Sequence, residues 1–420
     1  MEEAGDNNMD PSHRVKRRFL AFCVLAVVPC GIASVAAVRV ADDAWEQLTH
    51  MSAAHIARVA LGTLERDLGA AVDSLLGSAD PLPNPDTTIA AIRAAMAGDT
   101  VSALEPTASG VEVMVLFPDA EGVIWFANGV LVPGAATLVG GATGARVGLY
   151  LNGGLWNATD PPPSVDVIDR ETLLAASRTP GGVMSEAGSV VAMDPRSGLP
   201  AAISALVQTD NQSEQAIPPV VRLVIGLLLL FSALAAWILF AKQSGSGSDL
   251  ASSRAALALL ACVPLFTLLG LLVHVQRTFD VAAREHVSRD LAQTLTVIGA
   301  LGIEESPSAT RALSGFHAFR IQGGVVTAST LAGDSGTLGA VPAPPPSFTT
   351  SGIVQTDAGS SHYVAKRIDR ESFMVLVAPV PSVRIAALRE RLILISGVLV
   401  GWLLLVAGSL SVRSNRTKSR

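Results

Sequence analysis

Seven histidines, three cysteines and thirty-six carboxylates are the side chains here best able to hold a metal or move a proton. Their spacing assembles no recognisable centre. His50 and His55 are five residues apart, which puts them on different faces of a helix and not at the i, i+4 spacing that lets two imidazoles share an ion. His274 borders an apolar run, and His317 and His362 fall in β-favouring segments. The chain has no Gly-x-x-x-x-Gly-Lys-[Ser/Thr] phosphate loop and no Gly-x-Ser-x-Gly nucleophile elbow. "SGSGS" at 244–248 follows an apolar run, not a strand, and reads as a linker. Carboxylates are plentiful, but spacing alone singles out no acid/base pair. The expectation is a non-enzyme with no catalytic residue, no metal and no cofactor.

Binding is the remaining chemistry. The aromatic and basic residues on β-favouring segments are Trp125, Tyr150, Arg320 and Tyr363, and these are the candidate ligand contacts on the concave face of a sheet. Net charge is −6 without a long basic tract, which excludes nucleic acid as an expected partner.

The elements that would position those residues start from composition. Half of the 420 residues are hydrophobic, only 16 % are charged, and mean hydropathy is +0.45. Four apolar stretches, Phe19–Val38, Leu223–Ala241, Ala255–Val273 and Leu392–Val412, approach the roughly 20 residues a bilayer core requires. They predict an α+β membrane protein with four transmembrane helices and two external domains. Arg14, Lys16, Arg17 and Arg18 precede the first stretch, Lys242 and Arg254 bracket the link at 242–254, and Arg413, Arg416, Lys418 and Arg420 fill the tail. By the positive-inside rule these segments face the cytoplasm. The expected placement is a bacterial inner membrane, multi-pass, with the 1–18 and 413–420 termini cytoplasmic. All three cysteines, Cys23, Cys30 and Cys262, fall in the apolar stretches, so the external segments at 41–217 and 277–390 hold no disulfide.

Those two segments share an order of features. "VRVADDAWEQLTHMSAAHIARVALGTLERDL" and "VHVQRTFDVAAREHVSRDLAQTLTVIGAL" each predict a helix with an apolar stripe, Leu61, Leu64 and Leu68 in one and Leu291, Leu295 and Ile298 in the other. "FPDAEGVIWFAN" (117–128) and "FRIQGGVVTAST" (319–330) each predict a strand, a glycine turn and a second strand, and the reading pairs them as equivalents. "SEAGS" (185–189) answers "TDAGS" (356–360), and "SHYVAKRI" and "SFMVLVAPV" flank a "DRE" turn. "RVGLYLNGGLWNAT" (146–159) reads as an extra hairpin of the first segment. The sum is an internal duplication.

A long helix followed by a small antiparallel sheet, carried by "VLFPDAEGVIWFANG" and "SHYVAKRIDRESFMVLVAPVPS", resembles the PAS-like extracytoplasmic sensor domains called Cache domains. The resemblance implies a receptor that binds a small molecule or a protein. Only "RSNRTKSR" follows the last apolar stretch, so the signal would pass to a separate partner, with a homodimer as one arrangement. Two alternatives stay open at this point: a membrane scaffold whose domains bind another protein, and a truncated sensor histidine kinase or diguanylate cyclase.

Overall fold

Residues 38–76 and 273–300 are free of proline, hold three glycines between them and are rich in Ala, a composition that permits helix throughout. Both lie within very long helices. The computed structural model describes residues 11–78, 80–81, 101–107, 110–118, 124–131, 134–151, 153–179, 182–184, 189–193, 203–208, 226, 250–330, 341–345, 349–356, 359–380 and 385–400. The chain opens with α1 (Pro11–Leu76), then β1 (Asp80–Pro81), β2 (Val101–Thr107), β3 (Gly110–Pro118) and β4 (Ile124–Leu131). Next come α2 (Ala135–Thr143), β5 (Arg146–Leu151), β6 (Gly154–Ala158), α3 (Arg170–Arg178), β7 (Val183–Met184), β8 (Val190–Ala192) and β9 (Ile203–Gln208). The last part holds α4 (Leu250–Ala300), α5 (Pro307–Ser314), β10 (His317–Gln322), β11 (Val325–Ser329), β12 (Thr350–Thr356), β13 (Gly359–Arg367) and β14 (Ser372–Pro379).

The fold is α+β, and the membrane expectation is corrected. Among the described residues no helix is long and apolar enough to cross a membrane. Within the expected spans Phe19–Val38 and Ala255–Val273 the described side chains begin at Pro29 and Phe266. From there α1 soon meets Arg39, Asp42, Asp43 and Glu46, and α4 meets Arg277, Asp280 and Arg284, too many charges for a full-length span. The expected span Leu223–Ala241 lies outside the described residues apart from Gly226, and Leu392–Val412 is described only as far as residue 400. The four-helix membrane architecture and the multi-pass inner-membrane placement with cytoplasmic termini therefore fall.

The chain divides into two compact units. One comprises Met1–Gln47, Glu214–Ala283 and Pro381–Arg420 and is helical where described. It buries Ala33, Ala37 and Ala41, which recur every fourth residue of α1, and Leu268, Leu271, Leu272 and Val275 of α4. The other comprises Leu48–Ser213 and Arg284–Val380 and contains every strand among the described residues.

Within this second unit lie three antiparallel sheets. The first has the order β1-β4-β3-β2, the second β6-β5-β9-β8-β7 and the third β11-β10-β14-β13-β12. The second and third share one plan: a hairpin at one edge, the last strand of the copy beside it, then the remaining two strands in reverse order. Their details match as well. Gly144 and Gly315 close α2 and α5 at φ 71° and 74°, a left-handed cap that costs glycine nothing. Thr143 Oγ1 accepts from Ala145 N just as Ser314 Oγ accepts from Phe316 N. Both hairpins have a register shift at the same place, Leu149/Tyr150 and Arg320/Ile321. A threonine then fastens the end of each hairpin: Thr159 Oγ1 accepts from Val147 N at 3.1 Å, and Thr330 Oγ1 accepts from Ala318 N at 2.9 Å.

These matches correct the expected alignment of the repeat. The partner of β10–β11 is β5–β6, the hairpin that the sequence suggested as an addition, whereas 117–128 falls in the β3–β4 hairpin of the first sheet. Phe and Gly-Val around a turn are common to any tight hairpin. What identifies the copy is the capped helix before the hairpin and the threonine after it. The first sheet is the added one, and Gly129 brings it against the end of α1, where a Cβ would come within 2.9 Å of Leu75 Cδ2.

Candidate functional site

Each repeated sheet has an inner and an outer face, because alternate residues of a strand point to opposite sides. Val147, Leu149 and Leu151 of β5 and Ile203, Ala205 and Val207 of β9 turn inward. So do Ala318 of β10, Val364 of β13 and Met374, Leu376 and Ala378 of β14. All of them join one core with Leu61, Leu64 and Leu68 of α1 and Leu291, Leu295 and Ile298 of α4. The two apolar stripes legible in the sequence are thus covered by both sheets and by each other.

The helices also reach across the copies. Gln293 Nε2 on α4 donates to the Thr143 carbonyl at the end of α2, 3.0 Å away. Gly62 on α1 lies under Leu313 of α5, whose carbonyl oxygen would be 3.2 Å from a Cβ there. Each long helix therefore holds the copy that the other one precedes.

Between α1 and α4 sits a polar cluster in this apolar surface. Ser52 Oγ donates to Asp290 Oδ1 at 2.6 Å. Thr294 Oγ1 donates to the Asp290 carbonyl at 2.7 Å and stands 2.8 Å from His55 Nε2. With the threonine proton committed to Asp290, the imidazole is the donor in that second contact, which fixes the tautomer with hydrogen on Nε2. His55 stacks on Phe316 with ring centroids 4.3 Å apart. Burial pushes the Asp290 carboxyl up to about 6 against the opposing pull of the Ser52 hydrogen bond and of Arg289. Burial, helped by the Arg58 cation, pushes His55 down to about 3. Near neutral pH the cluster therefore carries an uncharged imidazole and a carboxylate that titrates close by.

The four residues expected to line a binding face are not brought together. Trp125 is on β4 opposite Phe117, half-buried in the added sheet. Tyr150 is fully buried in the second sheet, with its hydroxyl donating to the Val165 carbonyl. Its phenol is pushed up to about 12 by that burial and by Asp166. Arg320 and Tyr363 share the third sheet but take opposite sides: Arg320 alternates with the outer-face residues Phe319 and Ile321, while Tyr363 belongs to their cluster. In the sequence His55 was weighed only for a metal shared with His50, and Ser52, Asp290 and Thr294 stood out in no motif. Their only signal was a polar residue beside the stripe, Asp290 before Leu291 and His55 before Ile56.

Among the described residues no group of three or more His, Cys, Asp or Glu side chains could hold a metal ion. His362 is buried and His317 half-buried, each pushed down by desolvation, with Arg284 adding to the first and Arg311 to the second.

No family model, curated protein or solved structure matches this chain. Its function is read from its own geometry.

Proposed function

We propose that the chain is a ligand-responsive binding protein built from two PAS-like units, which reports binding to a separate partner through α1 and α4. The observation that supports this is the shared core: both repeated sheets rest on the same two helices, and each helix is tied to both copies. A ligand that favours one arrangement of a sheet on this core shifts the helices by its differential affinity for the two arrangements and by no more. The polar contacts among Ser52, His55, Asp290 and Thr294 give the helix pair a defined register, because sliding it would leave buried donors and acceptors unpaired.

The test is a thermal-shift screen of the full chain against a metabolite library. A ligand at a hundredfold excess over its Kd stabilises by about 2.7 kcal/mol. A saturable rise in Tm is the expected result. If the folded chain responds to no compound, the reading fails and a scaffold that binds another protein takes its place.

A further inference from the structure

The two repeated sheets are alike inside and unlike outside. Pairing across the strands gives each outer face a grid of three rows. In the second sheet, continuing the paired register by one residue at each end of β8, the rows are Ser189, Gln208, Arg146; then Val191, Leu206, Gly148; then Met193, Ser204, Tyr150. In the third sheet the matching rows are Tyr363, Val377, His317; then Ala365, Val375, Phe319; then Arg367, Phe373, Ile321.

Four positions decide the comparison. Where the third sheet has Tyr363, Val377, Phe319 and Phe373, the second has Ser189, Gln208, Gly148 and Ser204. The large residues of the third sheet close into an apolar cluster that fills that face. On the second sheet Ser189 and Ser204 are each 0 % exposed, and neither hydroxyl has a hydrogen-bond partner. Buried hydroxyls are ordinarily satisfied, and one that is not raises the free energy of the fold. Two on one face, at positions where the sister copy holds a tyrosine and a phenylalanine, call for an explanation.

Resting on the binding reading above, we propose that the outer face of the second sheet is the small-molecule site of this protein and that the third sheet's is a filled, structural one. Ser189 and Ser204 sit four residues apart along the strand direction and one strand across, so their Cα atoms are ~14 Å apart in a regular sheet. Val191 and Leu206 lie in the row between them. The ligand this suits is an elongated molecule with a hydrogen-bonding group at each end of an apolar middle long enough to cross that row. Pro163, Leu155 and Tyr150 crowd Gly148, and Val165, Ile168, Leu173 and Ala176 pack over the same face. The ligand would therefore be held under the 159–179 segment, whose α3 carries Leu173 and Ala176.

The experiment titrates the full chain with α,ω-diols and ω-hydroxy acids of increasing chain length, read by backbone amide shifts in NMR. The expected result is saturable shifts in β8, β9 and the 159–179 segment, strongest at one intermediate length. They should be lost in S204F and S189Y, which install the residues of the sister copy, and kept in Y363F. Because S204F could fail to fold, S204A is the second variant: it leaves the space and removes the hydroxyl, and affinity should fall at least about fivefold. Shifts that concentrate in β13 and β14, affinity unchanged in S204A, or no response to any probe would each overturn the assignment. A library compound that stabilises the chain equally in wild type and S204F would sink this site while leaving the binding reading intact.

Discussion

The second and third sheets share a strand order, a hairpin with the same register shift, a threonine fastening and a glycine-capped helix, yet their outer faces have diverged. Phe319, Phe373 and Val377 fill one, and Gly148, Ser204 and Gln208 occupy the matching positions of the other. Inner faces are held to one solution because both must fit the same pair of helices, and a volume change there is felt by the whole core. Outer faces answer only to their own covering segment. The contrast teaches that the two copies support each other through one face and are free to specialise on the other.

The largest expected effect comes from emptying the filled face. Phe373→Ala should cost about 3–5 kcal/mol, as large-to-small changes in packed cores do. Urea unfolding checks this, and a cost below about 1 kcal/mol would mean that the third sheet is not packed as described.

The helix pair that both copies share should show itself through pH. The folded pKa of Asp290, about 6, lies above its unfolded value of 3.8, so the native state holds the proton more tightly. Stability from this group is present below pH 3.8 and declines as pH rises through 6, by roughly 3 kcal/mol in all. Asp290→Asn should abolish that decline, leaving the variant similar at pH 4 and more stable than wild type at pH 7. His55 works in the opposite direction. Its folded pKa of about 3 lies below 6.5, so its contribution grows as pH rises from 3 to 6.5. His55→Gln, which retains a donor toward Thr294, should lessen acid unfolding. Parallel pH–stability curves for wild type and either variant would refute the assignment.

Equal effects are expected where the copies agree. Thr159→Ala and Thr330→Ala each remove a hydroxyl that fastens the end of a hairpin, and each should cost about 1 kcal/mol. A difference of more than about twofold between them would show that the two hairpins are not held alike.

The smallest change is also the sharpest contrast. Without ligand, Ser204→Ala should be neutral or slightly stabilising, since the lost hydroxyl is buried without a partner. A clear loss of stability would mean that the hydroxyl is already satisfied.

Much of the fold was legible where local chemistry decides it. "SHYVAKRI" and "SFMVLVAPV" form β13 and β14, and Asp369 in the "DRE" turn accepts from Glu371 N at 2.8 Å and Ser372 N at 2.7 Å. The helical stripes at Leu61, Leu64, Leu291 and Leu295 are buried as their spacing implies. The register of the repeat was not legible, because its markers, Gly144 with Gly315 and Thr159 with Thr330, are single residues whose meaning lies in backbone geometry. The binding face was missed for a related reason. Aromatic and basic residues stood out in the sequence, while the difference that matters is Ser204 against Phe373, and that pair becomes comparable only once the strands are in register. Apolar stretches such as Phe19–Val38 suggested spans because each was read apart from the charged residues that follow it in the same helix, Arg39, Asp42 and Asp43 in this case.

The most direct measurement is hydrogen–deuterium exchange of the full chain with and without a stabilising compound from the thermal-shift screen. The account predicts new protection in 159–179 and at 189–193 and 203–208, with 359–380 unchanged. Protection centred on 359–380 or on the added sheet at 101–131 would contradict it.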